Sequence, residues 1–220
     1  MSTTAEAAPT LHYFKGPNSR GALCHLLFAF YEIGYNENLI EVSEWTTKKE
    51  NYPFRVLPCL AVDGNLIGEI PAIAQYIASL GGYGAQHDLM TRFRVNELVS
   101  SMTFFMNSYV SMFEHRFLDA LIHGTELNTE LSETEVTFFK ETVGPFFQCL
   151  ESRVGPNGCF IDEADGLPEI MAFWVYEIVR LSFPKYFDTS SLNALNTLAT
   201  RIESNSKIPD YLTNRSPLPF

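Results

Sequence analysis

Basic charge is what this chain has least of. Against 26 aspartates and glutamates it carries 15 lysines and arginines, a formal net charge of −11. That balance argues against nucleic acid and anionic membranes as partners. Cysteine is also sparse. Cys24, Cys59, Cys149 and Cys159 form no Cys-x-x-Cys pair, and no Cys/His cluster has zinc spacing, so no metal is expected. No apolar run is long enough to span a membrane. Internal repeats and low-complexity tracts are missing, and no histidine has the neighbours of a Ser-His-Asp relay. Residues 1–9 are small and polar, with no basic region or apolar core, and read as a frayed tail and not a signal peptide. With no paired cysteines, a reducing cytoplasm is the expected compartment.

What is present suffices for real cores. The chain has 220 residues, 46% of them hydrophobic, enough for one large or two small domains. Residues 10–14 read as a strand, 15–20 as a loop around Gly16 and Pro17, and 21–31 as a buried helix with Leu23, Leu26, Leu27, Phe30 and Tyr31 at helical spacing. Gly34 is expected to stop that helix. A second strand covers 38–42, followed by a polar loop to Tyr52. Leu60 and Val62 then alternate with Ala61 and Asp63, and Asp63-Gly64 is a strong hairpin signal. Ala72, Ile73, Tyr76 and Ile77 mark a further helix. The order is β-α-β, then β-β-α, which predicts a mixed four-stranded sheet with helices on its faces. A glycine-rich linker at 80–86 precedes helical periodicity over 89–117, 131–153, 169–181 and 190–205. Ser132-Glu133-Thr134-Glu135 opens the second of these as a capping box.

The segment from Phe54 to Ala78, with Pro58 at a strand start, the hairpin, Glu69 and then a helix, resembles the second half of the thioredoxin-like domain of cytosolic glutathione transferases. The resemblance extends over nearly the whole chain. It is nearest to the sigma class and its mu-like relatives through Tyr13-Phe14 at the end of the first strand, the stretch Leu39 to Trp45, and the exit Lys207-Ile208-Pro209-Asp210-Tyr211-Leu212. It implies an α/β thioredoxin-like domain over 10–80, followed by an all-helical bundle over 88–220. On local grounds Pro58 is either an ordinary trans proline or a cis one; the resemblance implies cis.

The implied chemistry centres on glutathione as co-substrate, with no metal. A phenol can donate a hydrogen bond to a sulfur without ionising at pH 7, which stabilises the nucleophilic thiolate. The resemblance gives that role to Tyr13; on local grounds a tyrosine in a strand is a packed structural residue. Glutathione contacts fall on Phe14, Arg20, Trp45, Lys48, Lys49, Val56, Leu57, Pro58, Glu69 and Ile70. Lys48 and Lys49 also read as a solvated pair. Ile70 stands where the family carries Ser or Thr, so only the helix start would meet the γ-glutamyl carboxylate. The family's buried capping box falls on Pro168 to Met171, with both members missing. Phe104, Phe105, Tyr109 and Phe220 are the candidate pocket for a hydrophobic electrophile. These calls predict a cytoplasmic, homodimeric transferase acting in detoxification. A glutathione-dependent isomerase or peroxidase, or a non-catalytic binding or structural protein with this fold, remain alternatives.

Overall fold

The computed structural model describes residues 8–16 and 19–214. The sheet begins with β1 (Thr10–Phe14), whose pleat buries Leu11 and Tyr13. Helix α1 (Ser19–Phe30) packs Leu23, Leu26 and Leu27 inward. It ends at Glu32, not Gly34. Glu32 takes the left-handed conformation (φ 55°), its N–H donates to Ala29 O, and Ile33 N–H donates to Phe28 O at 2.9 Å. Those two bonds satisfy the last carbonyls of the helix without a glycine. Lys207 holds the Glu32 carboxylate at 2.9 Å.

Strand β2 (Asn36–Ile40) lies parallel to β1, while β3 (Cys59–Val62) is antiparallel to it and pairs with β4 (Asn65–Gly68). The order across the sheet is β2-β1-β3-β4. Asp63 (φ 47°) and Gly64 (φ 77°) both have positive φ, as a two-residue hairpin turn twisted with its strands requires. Between β2 and β3 lie short helical turns, among them α2 (Trp45–Lys48). The Leu57–Pro58 bond is cis. Helix α3 (Ile70–Leu80) follows β4 and buries Ile70, Ile73, Ala74, Ile77 and Ala78.

The helical part starts with α4 (Leu89–His123), capped by Asp88 accepting from Thr91 N–H and closed by left-handed Gly124. The periodicity over 131–153 is one path but not one α-helix. It divides into α5 (Glu133–Phe138), a π-turn (Phe139–Val143) and α6 (Gly144–Arg153). Pro145 is the physical reason: it has no N–H and its ring crowds the carbonyl four residues back, so Gly144 N–H reaches Phe139 O and the turn widens. The Ser132 capping box forms, and Arg116 grips the same Glu135 carboxylate at 2.6 and 2.7 Å.

Helix α7 (Leu167–Ser182) is buried along almost all its length. Its capping acid is present, contrary to the sequence reading, which placed the box two residues late. Glu169 accepts from Gly166 N–H at 2.9 Å and from Phe160 N–H at 2.8 Å. Gly166 supplies no side chain, so only half of the reciprocal box exists. Helices α8 (Asn193–Glu203) and α9 (Pro209–Asn214) complete the chain's described part. One core cluster runs from Leu11 through α1 and α3 into α4, α7 and α8. Among the described residues no helix is long and apolar enough to cross a membrane.

Candidate functional site

The sheet half meets α4 around a cavity of about 330 Å³. Arg20 of α1, Val56, Leu57 and Pro58 ahead of β3, and Glu69 and Ile70 at the start of α3 line it from the sheet side. Thr103, Asn107 and Ser111 line it from α4. Ligands of open α/β sheets bind at such loop and helix-start positions, because strand ends leave room and helix starts present N–H groups. Six of the ten residues assigned to glutathione from sequence therefore meet on one wall.

The start of α3 is built in an unusual way. Glu69 is exposed and holds φ 68°, ψ 128°, a conformation unfavourable for a residue with a Cβ. It makes no side-chain cap. Pro71 has no N–H, and Ala72 N–H is already used by Glu69 O at 3.1 Å. As the first residue of the helix, Ile70 has no intrahelical acceptor for its N–H. Arg20 and Glu69 give the cavity one charge of each sign. Arg20 donates to Asn107 Oδ1 at 3.0 Å, a bond that ties the sheet half to α4 across the mouth.

Tyr13 does not line the cavity. It is 6% exposed and packs with Ile40, Leu57 and Cys59. Leu57 belongs to both that cluster and the cavity wall. Phe14 meets the Tyr13 ring edge-on at 5.8 Å and Trp45 at 5.3 Å. Trp45 in turn leans on Tyr52, which bonds His12 at 3.0 Å. Phe14, Trp45, Lys48 and Lys49 do not line the cavity, and the Lys48 ammonium is held by Glu44 at 2.9 Å.

Burial pushes the Cys59 thiol up, and the Cys24 thiol up to about 12. Both remain protonated packing groups, not nucleophiles. The proposed electrophile pocket is dispersed. Phe105 stacks on Phe146 at 4.0 Å in the helical core, and Tyr109 is fully buried beside Phe113. Phe104 points outward, 75% exposed. Phe220 lies outside the described residues. Asn107 and Ser111, which do line the cavity, went unassigned from sequence. Their signal is a polar stripe, Thr103, Asn107 and Ser111, recurring every fourth position along α4.

Known proteins share this architecture. S-crystallin SL11 of Nototodarus sloanii is 30% identical over 217 residues, covering 96% of this chain and 98% of that one. The solved glutathione S-transferase of Ascaris lumbricoides superposes with a TM-score of 0.77 at 19% identity, covering 97% and 100%. The chain belongs to the glutathione S-transferase superfamily. Within that superfamily, a probable glutathione S-transferase 6 of Caenorhabditis elegans is 36% identical over 70 residues, 32% of this chain and 34% of that one. No protein-family model matches the chain. Superfamily membership accounts for the mixed sheet followed by helices.

Proposed function

We propose that this glutathione S-transferase superfamily member binds glutathione in the cavity between the sheet half and α4 and conjugates it to an electrophile. One observation carries the proposal: Arg20, Val56, Leu57, Pro58, Glu69 and Ile70 converge on a single cavity. In this reading Leu57 pairs its backbone with the cysteinyl part of glutathione. The Ile70 N–H and the α3 dipole receive the γ-glutamyl carboxylate. Arg20 attracts the tripeptide's negative charge. Tyr13, which packs against the cavity-lining Leu57, is the residue proposed to donate its hydroxyl to the sulfur and favour the thiolate. The thiolate then attacks the electrophile, and no metal or other cofactor takes part. The setting proposed is cytoplasmic detoxification.

A second reading is favoured by two observations. Ile70 brings no hydroxyl to the carboxylate site, and the S-crystallin relative carries a crystallin's name, not an enzyme's. A protein that kept the fold without turnover would answer both. Calorimetric titration with glutathione, followed by turnover assays, separates the readings. Binding with turnover supports the enzyme; binding without turnover, or no binding at all, supports the second reading.

A homodimer is also proposed. Met90, Phe93 and Phe104 lie on one face of α4, 62%, 60% and 75% exposed, and Phe54 is 76% exposed. Apolar patches of this kind on a soluble chain mark association surfaces.

A further inference from the structure

We propose a second binding site, separate from the cavity assigned to glutathione, that takes a protonated amine carrying a flat apolar body. The site is a cavity of about 560 Å³ bounded by the C-terminal half of α1 and the turn after it, the start of β2, and α9. It shares no residue with the first cavity. Its volume falls in the range of small-molecule sites. His25, Phe28, Glu32, Tyr35, Glu37 and Asp210 decide what it can hold.

One side of the cavity is aromatic. Phe28 and Tyr35 stack, with ring centroids 4.1 Å apart and planes within 8° of parallel. Phe28 is fully buried and anchors the pair, while Tyr35 is half-buried. Such a surface accepts a flat apolar group and attracts a cation. The Tyr35 hydroxyl lies 2.6 Å from His25 Nδ1, and His25 Nε2 lies 3.6 Å from a Glu37 oxygen. Burial lowers the His25 pKa, so the imidazole is neutral at pH 7 and carries a single N–H. Glu37 favours that hydrogen on Nε2, so Nδ1 accepts from the Tyr35 O–H. The phenol oxygen keeps its lone pairs and can only accept from a ligand.

The charge around the cavity has one sign. Glu32, Glu37 and Asp210 line it, and no lysine or arginine does. Lys207 reaches Glu32 at 2.9 Å, which leaves Glu37 and Asp210 without a lysine or arginine among the described residues. The wall is therefore made of acceptors, two carboxylates and a phenol oxygen. An anion would be repelled, and a neutral ligand would gain nothing from the two charges. A protonated primary amine brings a positive charge and three N–H donors at once. Carboxylates alone would not define a site on so acidic a chain; the aromatic pair and the volume beside it do.

Calorimetric titration of the full chain with tryptamine, a flat aryl amine protonated at pH 7, tests the site, with the neutral alcohol tryptophol as its isostere. Tryptamine should bind at one site per chain, about tenfold tighter than tryptophol, and millimolar glutathione should not displace it. Glu37→Gln and Asp210→Asn, both at exposed positions where the fold tolerates change, should each weaken tryptamine by about fivefold. Glu163→Gln removes an exposed carboxylate that does not line the cavity and should leave the affinity unchanged. No binding of tryptamine, equal affinity for the two compounds, displacement by glutathione, or an affinity unmoved by both lining variants overturns the proposal. So does a loss in Glu163→Gln as large as in Glu37→Gln, because the attraction would then be the general field of a chain with net charge −11.

Discussion

Ile70→Ser sets affinity against stability at one position, and the two effects are separately measurable. Ile70 both lines the cavity and belongs to the core, with 6% of its surface exposed. Truncating such a side chain costs about 3 kcal/mol. A serine there stands at the first helical position, one past the N-cap residue Glu69, so it adds no cap to offset that loss. The loss of about 3 kcal/mol should lower Tm by roughly 6–12 °C in a chain of this length. Glutathione affinity should move the other way. A hydroxyl bonded to a carboxylate contributes about 1.5–3 kcal/mol, so Kd should tighten about tenfold or more. Calorimetric titration reads the affinity and a thermal melt without ligand reads the stability. A variant that melts cooperatively with an unchanged Kd would mean that no carboxylate approaches this helix start.

Parts of this architecture were legible because one residue type could satisfy them. Asp63-Gly64 reads as a hairpin because its turn needs positive φ twice. Pro58 could not be fixed as cis from its own neighbours, and the resemblance supplied that expectation. The α7 box was misplaced by two residues because Gly166 has no side chain to announce the cap; only the acid three positions later carries it. Glu32 ends α1 in a conformation usually left to glycine, so Gly34 drew attention wrongly. Periodicity cannot separate pocket from core on α4. Phe104 and Phe105 differ by about 100° around the helix, which sends one to solvent and the other into a stack with Phe146. The weaker pattern, Thr103-Asn107-Ser111, is the one that reaches the cavity.

Tyr13→Phe should raise the apparent pKa of the bound glutathione thiol and reduce turnover while leaving the melt near wild type; an unchanged pH–rate profile removes Tyr13 from the chemistry. Glu135, held to about 2 chiefly by Arg116, stabilises the fold above its ordinary 4.5, and that stability is lost as pH falls from about 4.5 toward 2. Glu135→Gln should cost about 2 kcal/mol at pH 7 and flatten the acid limb of a stability–pH curve; parallel wild-type and variant curves would refute the pairing. The α4 face gives the last prediction. Each chain carries a net charge of −11, so two copies repel, and association must come from apolar contact around Met90, Phe93 and Phe104. A central aromatic at such a contact is typically worth 2 kcal/mol or more, and a carboxylate placed there adds repulsion. Phe104→Glu should therefore weaken self-association at least thirtyfold by sedimentation equilibrium. Wild-type association should also strengthen with salt, since salt screens the repulsion and leaves apolar contact intact. A wild-type chain that sediments only at monomer mass at micromolar concentration would end the dimer proposal, and dimerisation indifferent to Phe104→Glu would move the interface off this face.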